Sequence, residues 1–556
     1  MKHIRKHGQE GIALLTAVIF IAVATLGLVA LTLRAVTQNR QVVQYVDFRN
    51  CFQGLEAGYA MSKADLETGG TGMIGLGTWA PSGTPPALPS FDDAGIAPLQ
   101  IPTMPGVEYM AYVTDWSNDG VDNNGNGAID ELDEDWVYTV DALARNGPVD
   151  RHVEAVLDGF DVNVWRNAIF GGTGQAGGLV NGNVSIHGSV HLLGNDLPAG
   201  GIAVNALDLS GTSLIHNNYA SLAAHLSARV PPLPTRLWNG EVVETLGAVL
   251  RVRNGLVGTS GNSEIGQPDN PGDQWKETMD GTFVNDGWTG NSVIDDGGRG
   301  DPTHVYSDNG WDMPYDLGDR VPLPILSDDW RDMYTGARVL NGATGLNYTH
   351  EEYFHDNLAG TPYPGDMLIE CNQDFYYNAT RPLDPDPANR QSNDDYIYFQ
   401  AASNLMEING QIEINGNLEF TRGGGNDKTI HYTGRAAILA HGDVTINTDL
   451  LTVNSDGTTD DSFPANNIIG IMASNNMTVG SLSQLEIMGA FYAQNQLRSE
   501  KQTTVMGTFV SNYFDMGTNV PDIYQVPELA DNLPFGMIGA YPILIYAQVS
   551  WREIGL

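Results

Sequence analysis

The sequence predicts an α+β chain that is mostly β: a long N-terminal helix whose first half can cross a membrane, a small antiparallel sheet, and a large head. The head reads as a β-solenoid, with a β-sandwich as the alternative. Three observations carry this. Ile12 to Leu33 holds no charged residue, and the first proline of the chain is Pro81. "GVEYMAYVTD" (106–115), "DWVYTVDALAR" (135–145) and "DRHVEAVLDGF" (150–160) then show alternating or aromatic-rich strand character. Beyond Leu179, short apolar runs alternate with Asn-Gly and Gly-Asp corners.

The basic leader, 1–11, carries Lys2, Arg5 and Lys6. About 20 apolar residues cross the ~30 Å hydrocarbon layer, so 12–33 is long enough to span it, and the inside-positive bias places Met1 in the cytoplasm. After the run, "TLRAVTQNRQVV" offers no small-residue cleavage site. The choices are an uncut anchor or a cut before the run, where Gly11 marks the switch from polar to apolar. Tyr45, Phe48, Phe52, Leu55 and Tyr59 recur at three and four residue spacing, which extends the helix over 12–67, on the order of 80 Å, and gives it an apolar stripe. A meander packed on that stripe is expected to bury Tyr45, Phe48 and Phe52.

Residues 68–105, with "PSGTPPALPS", read as a linker, and 106–165 as the sheet domain. In the head, 166–225 and 401–556 share the solenoid texture, the latter ending in a C-terminal strand. Between them 226–400 reads as a long acidic, loop-rich insertion. Asn-Gly is also the strongest hairpin signal, which keeps the sandwich open.

The 556 residues carry a net charge of -40 with only 27 Lys and Arg, which argues against nucleic acid and favours cations as partners. The strongest local signal is "DNNGNGAIDELD". It sets Asp122, Asn124 and Asn126 at loop positions one, three and five, Gly127 at the sharp turn, the Ala128 carbonyl, Asp130, and Asp133 at position twelve. This resembles an EF-hand calcium loop, with Asp133 in place of the bidentate Glu and strands in place of flanking helices; a solvated turn is the other reading. No organic cofactor is expected. Cys51 and Cys371 could pair in an oxidising exterior or stand as separate thiols. "GTGQAG" (172–177) reads as a structural turn, because no helix pattern follows it. His350 and His355 in "HEEYFH" are five apart and diverge on a helix, failing the zinc-protease spacing. No nucleophile elbow or P-loop is present.

A basic leader ending in Gly, an apolar segment opening one long helix, and "GLEAGYAMSKADLE" (54–67) resemble the PilX-type minor pilins of type IV pili. The opening is also similar to the K-type minor pseudopilins of type II secretion. The resemblance implies cleavage by prepilin peptidase between Gly11 and Ile12, with Gly8 as the weaker site, and N-methylation of Ile12. It implies other pilins as partners through the helix, a single-pass inner-membrane precursor, and an extracellular pilus or cell-surface product. Major pilins carry a Glu where this chain has Thr16, which fits a tip or initiating position or a lineage in which the carboxylate is dispensable. The function so implied is a non-enzymatic subunit for pilus assembly or adhesion, its head meeting a surface or carbohydrate ligand. The alternatives are a membrane-anchored β-solenoid carbohydrate-active enzyme and an uncut surface-anchored binding protein.

Overall fold

In the computed structural model the chain divides into two compact units, Met1–Phe160 with Leu544–Leu556, and Asp161–Ile543. The structure describes residues 6–67, 91, 98–115, 137–175, 185–195, 197, 204–238, 241–270, 272–291, 303–308, 321–334, 336–423, 429–481, 484–516 and 521–554.

In the first unit, α1 (Lys6–Glu67) runs without interruption for 62 residues, roughly 90 Å at 1.5 Å per residue. No proline removes a backbone donor within it. The strands β1 (Leu99–Gln100), β2 (Val107–Asp115), β3 (Val137–Asn146) and β4 (Val149–Asp161) form a meander, with the C-terminal strand Leu544–Ile554 beside β4. The three runs read as strands are β2, β3 and β4. β3 and β4 pair from Val137 opposite Asp158 to Asn146 opposite Val149, so Gly147 and Pro148 form a two-residue turn. Gly147 sits at φ +59°, a backbone state favouring glycine.

The sheet packs on α1 through Cys51, Leu55 and Leu66, which share a core with Tyr109, Ala111, Val113, Val140, Ala142, Ala144, Val153 and Leu157. This corrects the expected burial of the aromatic stripe. Tyr45 is 70% exposed and Phe48 48%, and Phe52 is also exposed. At 100° per residue those aromatics lie to one side of the face made by Cys51, Gly54, Leu55, Gly58 and Ser62. Small residues let the backbones approach, whereas a ring would hold the sheet away. Phe48 and Phe52 instead stack under the Arg151 guanidinium, at 3.7 and 5.5 Å from ring centroid to Cζ. Arg151 also makes a two-pronged pair with Glu553 at 2.7 and 2.5 Å, joining β4 to the C-terminal strand.

In the second unit most strands stack in parallel, with register shifts where Thr503–Asp515 meets its neighbours, while Phe375–Asn378, Tyr396–Gln400 and Leu405–Ile414 pair antiparallel and Thr235–Trp238 forms a separate hairpin with Glu241–Glu244. One ladder runs Leu405–Ile414, Thr429–Ala440, Ile468–Ala473, Leu485–Ser499, Thr503–Asp515, Ile169–Gln175, Val190–Leu192, Val249–Val252 and Gly281–Val284. A second runs from Thr503–Asp515 through Asp522–Tyr524, Ser185–His187, Leu214–His216 and Glu264–Ile265. A third stacks Met367–Glu370, Leu418–Thr421, Val444–Asn447 and Asn476–Val479. The chain therefore enters mid-ladder at Ile169, coils outward to Val284, and reappears at the opposite end to coil back. The two stretches sharing the strand texture meet where Phe509 pairs with Ile169. The stretch 226–400, read as loop-rich, contributes strands of two to four residues to these ladders.

Entry and exit of this unit are held together. The Asp161 carboxylate accepts from the backbone N–H of Asn163 and of Ile543, both through Oδ1, and pairs through Oδ2 with Arg166 at 2.9 Å. Arg166 reaches on to Asp531 at 2.6 Å, and the Val162 N–H donates to the Ile543 carbonyl. The two strands leading into and out of the unit thus start side by side.

Candidate functional site

Among the expected functional features, α1 is the one the structure describes from end to end. From residue 14 to 36 its apolar side chains have no partner within the unit: Phe20 is 75% exposed, and Leu14, Leu15, Val18, Ile19 and Ile21 are exposed with it. The hydroxyls along this half are satisfied internally. Thr25, Thr32 and Thr37 each donate to the carbonyl four residues back, at 2.7, 2.8 and 2.9 Å. Such a surface suits hydrocarbon or a bundle of like helices, where polar groups without partners are costly. By length and composition α1 is a candidate membrane anchor. Gly11 and Ile12 lie on its backbone, and Thr16 on its exposed apolar surface.

The second half is the handle. An ideal Cβ on Gly54 would lie 2.8 Å from Ala144 Cβ and 3.0 Å from Val107 Cγ1, so glycine permits the close approach here. At Gly58 the same atom would meet its neighbours at 3.5 Å or more, in ordinary contact. The Asn146 amide donates to Asp47 at 3.1 Å, and Tyr59 packs edge-on against Trp551 at 5.1 Å.

Asp122, Asn124, Asn126, Ala128, Asp130 and Asp133 lie outside the described residues. Cys51 and Cys371 fall in different units, and the structure holds both as thiols. Cys51 donates to the Val149 carbonyl at 3.2 Å, and burial pushes its thiol up to about 11. Cys371 Sγ lies 3.1 Å from the Thr448 hydroxyl. Residues 172–175 of "GTGQAG" are strand rather than turn. A Cβ on Gly172 would meet Asn512 Oδ1 at 2.3 Å, which accounts for that glycine by packing.

His350 opens the short helix His350–Asp356, capped by Thr349, His355 is its penultimate residue, and the two face different surroundings. His350 is buried edge-on against Trp330 at 5.2 Å, while His355 Nδ1 lies 2.8 Å from Glu413. The buried Glu413 carboxylate also meets His441 Nε2 at 2.7 Å, and Glu351 lies 3.3 Å from the other ring nitrogen. Burial works to raise the Glu413 carboxyl, but the hydrogen bonds from His441 and His355 outweigh it and hold the group below the usual range. Sequence reasoning missed this cluster: Glu413 stands in an alternating run with nothing to distinguish it from its neighbours. Among the described residues no group of three His, Cys, Asp or Glu side chains is set to hold a metal ion.

No protein-family model matches this chain, and no curated protein does. Among solved structures it is similar to the competence-associated pilin ComZ from Thermus thermophilus, at 17% identity and a TM-score of 0.46, over 91% of this chain and 97% of that one.

Proposed function

We propose that the chain is a non-enzymatic pilin-like subunit, a minor or tip pilin of a type IV pilus or related pseudopilus. The observation that supports this is the division of α1 into an exposed apolar half and a half seated on a small antiparallel sheet. A soluble domain gains nothing from so long an unburied apolar helix. An assembly subunit gains a segment that resides in lipid and then exchanges acyl chains for neighbouring helices. In this reading prepilin peptidase cuts between Gly11 and Ile12, the new N-terminus is methylated, and α1 joins other pilins. The head, read as a β-solenoid on the strength of its parallel ladders, is carried outward to meet a surface or carbohydrate ligand.

The test is mass spectrometry of the N-terminal peptide from the natural host. An N-methylated Ile12 is the expected result. A peptide beginning at Met1 overturns the pilin reading and leaves a tethered surface protein.

Calcium belongs to the same reading: Asp122, Asn124, Asn126, the Ala128 carbonyl, Asp130 and Asp133 would wrap one cation and neutralise a loop that otherwise repels itself. Titration calorimetry of the purified chain should show one site, lost in Asp122→Ala and Asp130→Ala. An unchanged isotherm in both variants sets the loop down as a solvated turn.

A further inference from the structure

Lys276 is fully buried, the one lysine so placed among the described residues. Its Nζ lies 2.5 Å from Asp280 Oδ1 and 2.7 Å from Asp308 Oδ2, and the Trp238 indole covers it at 4.6 Å. The two carboxylates are held differently. Asp280 takes a hydrogen bond from the Asn217 amide at 2.9 Å and a guanidinium N–H from Arg236. Asp308 accepts from the Thr278 hydroxyl through Oδ1 at 2.8 Å, but its buried Oδ2 accepts no well-aligned hydrogen bond despite the nearby ammonium.

We propose that Lys276 and Asp308 condense to an intramolecular isopeptide bond, with Asp280 as the proton carrier. Arg236 balances Asp280, so the pair whose charges burial penalises is Lys276 with Asp308, and an amide removes both charges at once. Asp280 takes a proton from the Lys276 ammonium and passes it to the Asp308 carboxyl. The neutral Nζ then attacks Asp308 Cγ, forming the C–N bond. Asp280 takes a second proton from that nitrogen and delivers it to the departing hydroxyl, so the C–O bond breaks and one water leaves. The reactants are an ammonium and a carboxylate, the products an amide and water, and no outside reagent is consumed. Burial beneath the Trp238 indole holds the groups in contact, which supplies the proximity the reaction needs.

The bond would tie neighbouring coils at one end of the stack. Met279 bridges Ser307 in parallel, and the Asp308 N–H donates to the Met279 carbonyl, so the crosslink closes residues 276–308 where backbone pairing already sets them side by side. A terminal coil has a neighbour on one side only, and a covalent tie compensates for the missing one.

Tryptic digestion of the purified full chain reads the bond directly. The expected product is a branched peptide of residues 254–299 joined to 300–320, lighter than the sum of the two by one water and uncleaved after Lys276. Asp280→Asn is expected to give ordinary cleavage after Lys276 and linear peptides. Linear peptides at full mass from the unaltered protein overturn the bond, leaving a buried ion pair. A water loss confined to one linear peptide also overturns it, since that marks an Asp-Gly imide. A branched product in Asp280→Asn overturns the role given to Asp280.

Discussion

Acidification from about pH 7 to about pH 5 is expected to cost the unit Asp161–Ile543 several kcal/mol of folding free energy, seen as a large fall in melting temperature. Burial holds four imidazoles there below their ordinary value. His191 is pushed down to about 3, with Arg251 adding to the effect of burial. His216 and His350 are pushed down to about 4. His187, stacked between His216 at 4.3 Å and Tyr524 at 4.1 Å, lies well below the usual range through burial and then its histidine neighbour. A histidine kept neutral by the fold binds fewer protons folded than unfolded. Its contribution is therefore full above the unfolded value near 6.5 and is lost as pH falls toward the folded value. For a group displaced from 6.5 to about 4, the loss by pH 5 is roughly 2 kcal/mol.

Other groups act in the opposite direction, among them the Asp328, Asp395, Asp522 and Asp531 carboxyls, each raised chiefly by burial. His441 is raised, chiefly by its hydrogen bond to Glu413, so its contribution is present below 6.5 and lost as pH rises through the folded value. Glu277 is pushed up to about 7 by burial and by the nearby Asp273 and Asp269, but it is only half-buried, and solvent screening discounts its effect. The four buried rings therefore dominate. Thermal melts of the full chain across this range check the sign. His216→Phe keeps a ring against His187 and should flatten the acid slope by about 2 kcal/mol between pH 7 and 5. A slope unchanged in that variant would remove His216 from the account.

The same side chains show how far the sequence can be read. α1 is legible because length, lack of charge and lack of proline are local properties, and the structure extends the predicted 12–67 helix only at its start. Its buried face is not, because hydrophobic periodicity weights aromatics, whereas the sheet selects Cys51, Gly54, Gly58 and Ser62 for their size. β2, β3 and β4 were readable because each is at least nine residues long and pairs with a neighbour in sequence. Val249–Val252 could not be assigned from its own four residues. Its partners are Val190–Leu192 and Gly281–Val284, about one coil away on either side, so the pairing is a property of the stack. The joining of Thr503–Asp515 to Ile169–Gln175 is more distant still. Lys276, Asp280 and Asp308 follow the same rule: the first two are close in sequence, and only the coil repeat delivers the third.

Alanine at the two sheet-facing glycines of α1 is expected to have opposite effects. Both substitutions remove a residue that costs a helix interior about 1 kcal/mol relative to alanine, so propensity alone favours both. At Gly58 the new methyl meets the Met110 carbonyl and Tyr109 at 3.5 Å and Ala111 at 3.6 Å, and the gain should survive as a small stabilisation. At Gly54 it would stand 2.8 Å from Ala144 Cβ, and both neighbours belong to paired strands that cannot yield without disturbing β2 and β3. Overpacking of this kind costs about 1–3 kcal/mol, enough to reverse the propensity gain. Gly54→Val should cost more, since a second branch has no space beside Val107. Denaturant titrations of the three variants in detergent micelles, followed by far-UV circular dichroism, separate the two effects. A stabilised Gly54→Ala would mean that the helix seats on the sheet with slack. A destabilised Gly54→Ala beside an improved Gly58→Ala identifies a single point of contact that sets how closely the apolar handle is held, and therefore how firmly the sheet is tied to the exposed apolar half of α1.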